Sequence, residues 1–384
     1  MFFYIGKTSP LTSLNQVAEN VFIDKGWNSI NVNGVEVWYK GYSTECNLNL
    51  SIPSIIEGYQ PRGKWCAIVK KETVIEIKHP VHRGFPLYTL EECFTNLKLP
   101  NFNHCNFSLP EPKLLPQLSM DEATISIGDI VLENIENFYK FNSISKMNVL
   151  FSGGLDTLTV WALLDTLTPI YNLDVYIPKQ GDNVLAKWSN ATSDYDSDLI
   201  DHARKNYWGY EISRLYSTTN WNITGFYSER HQLREVTNGL AYAHYLNKTV
   251  NDLLTETDYL YHFLNRPDIA SRKIDLPNFI DEQHVKNWCY HSITSDDQMW
   301  HLDNNFHFSP LFDSRITDVA YRLSLNDLIF NLRHGHIQKK IIERFRPNFL
   351  QLLSDYKNAM DIYGNFKKNW RNVRLNPETK VTIR

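Results

Sequence analysis

The residues most able to do chemistry form one stretch, Val149-Leu-Phe-Ser-Gly-Gly-Leu-Asp-Thr157, with two adjacent glycines in a chain that has only 16 among 384 residues. A Gly-Gly pair lets the backbone turn sharply. Successive N–H groups can then face an anion at the positive end of a following helix. Ser152 and Thr157 add hydroxyl donors. Asp156 would repel a bare phosphate, and its presence makes sense if it holds a Mg²⁺ ion that bridges phosphate oxygens. The chemistry implied for Ser152, Gly153, Gly154, Leu155, Asp156 and Thr157 is therefore phosphate binding with a divalent cation. The same residue types would also suit a strand-to-helix turn that serves packing alone.

Such a loop must sit between a strand and a helix. Met147-Asn-Val-Leu-Phe is an apolar run of strand length, Leu158 to Leu167 is apolar at helical spacing, and Leu173-Asp-Val-Tyr-Ile is a second strand. Strand, turn, helix and strand make a βαβ unit, which points to a parallel sheet. Upstream, Ile127 to Phe138 has helical periodicity. Downstream, Ser197 to Trp208, Arg234 to Leu246 and Thr317 to Ser354 read as helical. The first part of the chain differs. Ser29-Ile-Asn-Val, Val35-Glu-Val-Trp-Tyr-Lys, Trp65-Cys-Ala-Ile-Val and Val74-Ile-Glu-Ile are alternating or β-branched runs, expected to be antiparallel strands. Leu97 to Leu118, rich in Pro, Asn and Lys, is the expected linker. Two domains follow, residues 1–118 and 119–384.

Composition narrows the class. At this length the chain can bury two sizeable cores. With 39 Lys+Arg against 43 Asp+Glu, a net charge of −4 and 42% hydrophobic residues, it reads as a soluble globular protein for which nucleic-acid binding by bulk charge is not expected. Five widely spaced cysteines without a CxxC pair suggest neither a disulfide framework nor a zinc site. No apolar run reaches the ~18 residues needed to span a bilayer, and Met1 to Pro10 lacks the pattern of a signal peptide. A cytoplasmic location is expected.

Ser152-Gly-Gly-Leu-Asp-Thr resembles the SGGxD[ST] loop of the PP-loop ATP pyrophosphatases. That superfamily includes asparagine, argininosuccinate and GMP synthetases, tRNA-thiolating enzymes and 7-cyano-7-deazaguanine synthases. The resemblance implies a HUP-type synthetase domain in which the loop binds the pyrophosphate of ATP, with Mg²⁺, and chemistry occurs at the α-phosphate. Asp194-Tyr-Asp-Ser-Asp198 and the residues up to Glu211 resemble an asparagine-synthetase segment in which an acidic pair opens a helix. Asp196 and Asp198 would ligate Mg²⁺ beside Asp156, or cap that helix. His307-Phe-Ser-Pro-Leu-Phe-Asp313, Gln338-Lys-Lys-Ile-Ile-Glu-Arg, Arg346-Pro-Asn-Phe and Asp355-Tyr-Lys357 follow the order of the family's last elements. By position Lys357 would match the lysine that stabilises charge in adenylation.

In the first domain, Gly63-Lys-Trp-Cys-Ala-Ile-Val and His82-Arg-Gly-Phe-Pro-Leu-Tyr88 resemble the end of the class II glutamine amidotransferase domain of asparagine synthetases. An Ntn-like, β-rich domain is implied. That class needs an N-terminal cysteine whose own α-amine is the base. Here Phe2 follows Met1, so glutamine hydrolysis is not expected. The domain then resembles the scaffold of β-lactam synthetase and related ligases. The fold class expected is α/β and α+β. The family's Gly-x-Gly-x-Asp-Glu-Leu-Phe segment, expected after Arg234 to Leu246, has no clear counterpart. Glu256 and Asp258 are the nearest candidates for an acceptor-side base.

The implied reaction adenylates a small-molecule carboxylate, and an amine or ammonia then displaces AMP to leave an amide; a homodimer is an admissible assembly. Amidation of a 7-deazaguanine carboxylate is the nearest alternative, and an inactive scaffold or binding protein is another. His301, His307, His334 and His336 lack paired metal-ligand spacing and read as ordinary histidines. Residues Asn365 to Arg384, with six basic side chains and one acid, read as a solvated tail or a cover for pyrophosphate.

Overall fold

The computed structural model describes residues 3–9, 14–82, 85, 87–96, 101–105, 112, 115–142, 144, 146–149, 155–171, 174–176, 221–225, 282–283, 286–287, 290 and 307–350. The architecture is mixed α and β. The first part holds two antiparallel sheets. One has β1 (Phe3–Ile5), β2 (Asn15–Ala18), β3 (Val21–Ile23), β8 (Tyr88–Leu90), β9 (Cys93–Thr95) and β10 (Asn103–His104) in the order β10-β8-β9-β1-β3-β2. The other runs β4-β5-β6-β7, from β4 (Asn28–Val32), β5 (Val35–Ser43), β6 (Gly63–Lys71) and β7 (Val74–Lys78). The four expected strands lie inside β4 to β7 with antiparallel pairing, Val37 opposite Val69 and Trp38 opposite Ile68. Asn33 and Gly34, both at positive φ, close the β4–β5 hairpin as a two-residue turn.

Alternation along β5 and β6 assigns two faces. Trp38, Cys66 and Ile68 point at Phe3, Ile5, Val21 and Ile23 of the other sheet. Val37, Tyr39, Trp65, Ala67 and Val69 lie beneath α1 (Leu48–Ile56), which contributes Leu48, Ile52 and Ile55. Burial on both faces is why Trp65 to Val69 is continuously apolar rather than alternating. The segment expected to be a linker divides in two. Residues 103–104 pair with β8, whereas Leu118 donates its N–H to the Arg322 carbonyl at 3.0 Å.

The second part opens with α2 (Met120–Asn142), begun by a reciprocal cap in which Ser119 N–H and Oγ both reach Glu122 Oε2 at 2.8 Å and Glu122 N–H returns to Ser119 Oγ. The backbone N–H of Ser119, then its hydroxyl, hold the Glu122 carboxyl below the usual carboxylate range. Then come β11 (Lys146–Val149), α3 (Leu155–Tyr171), β12 (Asp174–Tyr176), β13 (Trp221–Ile223), β14 (His307–Phe308), α4 (Ser314–Tyr321), α5 (Leu325–His334) and α6 (His336–Phe345). The four strands are parallel, in the order β12-β11-β13-β14. The β11–α3–β12 unit is the expected βαβ. The expected helices at Ser197–Trp208 and Arg234–Leu246 lie outside the described residues.

Apolar faces of α2, α3 and α4 to α6 close over this sheet as one core. Tyr42, at the end of β5, belongs to that core rather than to its own sheet's. Its ring meets Phe138 at 5.4 Å and Phe308 at 5.2 Å, both edge to face. Its hydroxyl accepts from Ser309 N–H at 3.2 Å and lies 3.4 Å from the Ser309 carbonyl. Asn47 to Phe141 and Asn137 to Thr44 add side-chain hydrogen bonds between the two parts. Tyr42→Ala should therefore cost ~3–5 kcal/mol in urea unfolding and Tyr42→Phe about 1. A loss below about 1 kcal/mol for the alanine variant would contradict this packing.

Candidate functional site

Helix α3 starts at Leu155, inside the Ser-Gly-Gly-Leu-Asp-Thr motif, three residues earlier than apolar periodicity alone implies. Asp156 stands in its first turn, where a negative charge complements the helix dipole. Thr157 is buried beneath it. Asp156 and Thr157 thus sit where β11 hands over to α3. Ser152, Gly153 and Gly154 lie outside the described residues, as do Asp196, Asp198, Glu256, Asp258 and Lys357.

Strand order fixes what faces that turn. The chain leaves β11 for β12 on one side and returns to β13 on the other, so the connections diverge between β11 and β13. In open parallel sheets the crevice at such a divergence, outside the carboxyl ends of the strands, is where ligands bind. The carboxyl end of β13 is Thr224-Gly225, and Thr224 N–H still bonds the Phe308 carbonyl of β14 at 3.0 Å. A Cβ on Gly225 would lie 2.5 Å from the Thr157 nitrogen and 2.7 Å from the Asp156 carbonyl carbon. Only glycine allows β13 to end so close to the helix turn.

The third wall is the α5–α6 junction. Gly335 is left-handed at φ 58°, and a Cβ there would meet Leu155 Cδ2. Asn331 Oδ1 accepts the Ile337 N–H at 2.9 Å, which starts α6. Gln338, in the first turn of α6, donates Nε2–H to Asp156 Oδ1 at 2.9 Å. His334 and His336 flank Gly335 and lie against Phe330 at 4.6 and 5.3 Å.

Thr224, Gly225 and Gly335 escaped the sequence reading. The contacts of Gly225 and Gly335 with residues 155–157 join segments 68 or more positions apart, and β13 is too short for periodicity to register. The donor set suits a phosphate with Mg²⁺, which takes one or two carboxylates and completes its shell with phosphate oxygens and water. Among the described residues no group of three His, Cys, Asp or Glu could cage a metal alone.

A second polar cluster joins the two parts of the chain. Asp313, fully buried, caps α4 by accepting Arg315 N–H at 2.8 Å and pairs with the Arg315 guanidinium at 2.9 Å. Arg315 reaches Glu133 at 2.8 Å and Asn134 at 3.0 Å, and Arg62 of the first part lies 3.8 Å from Asp313 and 3.9 Å from Glu133 while binding Glu45 at 2.9 Å. Burial would lower the Arg315 pKa, but its bonds to Asp313 and Glu133 outweigh that and raise it. The Pro-Leu-Phe-Asp313 element thus orients α4 and braces the first part of the chain.

Beside this cluster His82 is buried, which drives its pKa from 6.5 to about 4 against the opposing pull of Asp313. Because the folded state holds His82 neutral, its contribution is complete above pH 6.5 and is lost as pH falls from 6.5 to about 4. At 1.36 kcal/mol per pH unit the loss is ~3 kcal/mol. His82→Gln should show an acid-induced drop in stability smaller by about that amount. Parallel pH profiles for the two proteins would contradict it.

Another cavity, of about 790 Å³, lies between β1, β7 and the β8–β9 turn, lined by Tyr4, Gly6, Ile75, Ile77, Cys93 and Phe94. Burial, then the neighbouring Cys93 thiol, push the Tyr4 hydroxyl up to about 12. It is not at the carboxyl ends of the parallel strands. Among the described residues no helix is long and apolar enough to cross a membrane. No family model matches the chain, and no curated protein matches it.

Proposed function

We propose that this chain is an ATP-dependent, AMP- and pyrophosphate-forming amide ligase resembling asparagine and β-lactam synthetases, with its PP-loop at Ser152 to Thr157. The observation that carries the reading is the position of Asp156 and Thr157 at the N-terminus of α3, beside the point where the strand connections diverge between β11 and β13. Backbone N–H groups there favour phosphate. Asp156 would hold Mg²⁺, which when bound neutralises phosphate charge and polarises the α-phosphate.

In the proposed reaction a carboxylate oxygen of the substrate attacks the α-phosphorus, and the bond to the β-phosphate oxygen breaks to release pyrophosphate. An amine or ammonia then attacks the acyl carbon, AMP leaves with the bonding pair, and the nitrogen gives up its proton. Lys357 is the proposed charge stabiliser, Asp196 and Asp198 the proposed further metal ligands, and Glu256 or Asp258 the proposed acceptor-side base. The first part of the chain, an amidotransferase-like scaffold in this reading, contributes Tyr42 to the sheet core.

Exchange of labelled pyrophosphate into ATP tests the reading, with Mg²⁺ and a panel of amino-acid, peptide and deazapurine carboxylates. A ligase exchanges only with its own acid, and the responding member names the substrate class. Absence of exchange across the panel, together with absence of ATP binding, would replace the ligase by a scaffold.

A further inference from the structure

We infer that Gln338 is a positioning residue for Asp156, fixing the carboxylate that holds Mg²⁺ in the reading above, on which this inference rests. Gln338 is 1% exposed and donates to Asp156 Oδ1 at 2.9 Å. A carboxylate has about four acceptor sites, so a bond to Oδ1 orients the group without filling its capacity for a cation.

The neutrality of the amide matters. A Lys or Arg at this position would also bond Asp156 but would compete with the metal for its charge. In Gln338-Lys339-Lys340 the buried member is the amide and both lysines are exposed. Lys340 is engaged by Glu343 at 2.7 Å.

The donor is held as firmly as the acceptor. Helix α6 lies along α3 and is tied to it at both ends, by Gln338 to Asp156 at the start and by Arg346 to Asp165 at 2.5 Å after its last turn. Ile337, Ile341 and Ile342, buried in the shared core, fix its rotation. The cap by Asn331 and the close seat of Gly335 on Leu155 set its first turn. Groups that orient a metal-binding side chain in this way typically change metal affinity or activity 10–100-fold when removed.

The test uses the full chain with Gln338→Met, which keeps volume and loses the donor, and Gln338→Leu as a second donor-free form. The readouts are the Mg²⁺ concentration giving half of the ATP-induced rise in melting temperature, the melting temperature without ligand, and ATP binding without Mg²⁺. The expected result is a Mg²⁺ requirement raised about 10–100-fold, with metal-free ATP binding within about threefold of wild type. In an Asp156→Asn background Gln338→Met should add nothing further, because the charge it positions is gone. An unchanged Mg²⁺ requirement in a folded variant, or an undiminished effect in that background, overturns the positioning role. A wild-type chain that binds ATP at no Mg²⁺ concentration overturns the nucleotide reading itself, a distinct outcome.

Discussion

Asp156→Asn is expected to lower carboxylate-dependent pyrophosphate release by about 10²–10³-fold, the scale on which removal of one preorganised electrostatic group acts at a reacting centre. The variant isolates charge from geometry. Asparagine keeps an Oδ1 that can accept the Gln338 Nε2–H now bonded at 2.9 Å, so the turn keeps its shape. The lost attraction between a first-turn carboxylate and the helix dipole contributes about 0.3–1 kcal/mol to its stability cost. A steady-state assay paired with a melting curve therefore separates catalysis from folding. Activity within about threefold of wild type would remove Asp156 from the chemistry.

The second large effect is steric. Gly225→Ala places a methyl 2.5 Å from the Thr157 nitrogen and 2.7 Å from the Asp156 carbonyl carbon. Both are backbone atoms of a helix turn, so either β13 or the start of α3 must move. Overpacking of this kind costs ~1–3 kcal/mol. Displacement of the phosphate-facing turn should weaken ATP binding by at least about tenfold, because misplacement by about 1 Å costs up to ~10²-fold in reactivity.

Gly335→Ala is the informative contrast. There the added methyl meets Leu155 Cδ2, the end of a side chain that can rotate, and the main penalty is the left-handed backbone, ~1–2 kcal/mol. Calorimetric titration with ATP should rank Gly225→Ala as far more damaging to binding than Gly335→Ala. The reverse order would contradict the close approach of β13 to α3.

The sequence made the elements around the site legible to different degrees. Strands β4 to β7 were readable because alternating and β-branched runs persisted over four or more residues, and α2 and α3 because their apolar positions recur at helical spacing. Helix α1 was not, since Pro53 and a run of Asn and Ser interrupt Leu48 to Ile56 and only the Asn47 cap announces it. Strands β1, β13 and β14 have two or three residues each, below the length at which any period is visible. Their existence depends on pairing with partners far along the chain.

The site divides in the same way. A strand, two glycines and a helix are local, so the strand-to-helix turn at Asp156 could be read directly. Its enclosure by Gly225, Gly335 and Gln338 is tertiary. Gln338 appeared in the sequence only as the first residue of Gln338-Lys-Lys-Ile-Ile-Glu-Arg, with nothing to indicate that, unlike the two lysines beside it, it turns inward. Tyr42 likewise looked like one more aromatic on an alternating strand, yet it packs against Phe138 and Phe308 of the other part.

In the proposed reading a nucleoside triphosphate sits on the N-terminus of α3. The most direct measurement is a crystal structure of the full chain with Mg²⁺ and a non-hydrolysable ATP analogue. Phosphate density is expected between the carboxyl ends of β11 and β13, within hydrogen-bond reach of the α3 turn, with Asp156 directed at the metal. A nucleotide seated elsewhere, such as the cavity beside Tyr4 and Cys93, or a nucleotide-free crevice at saturating analogue, would contradict it.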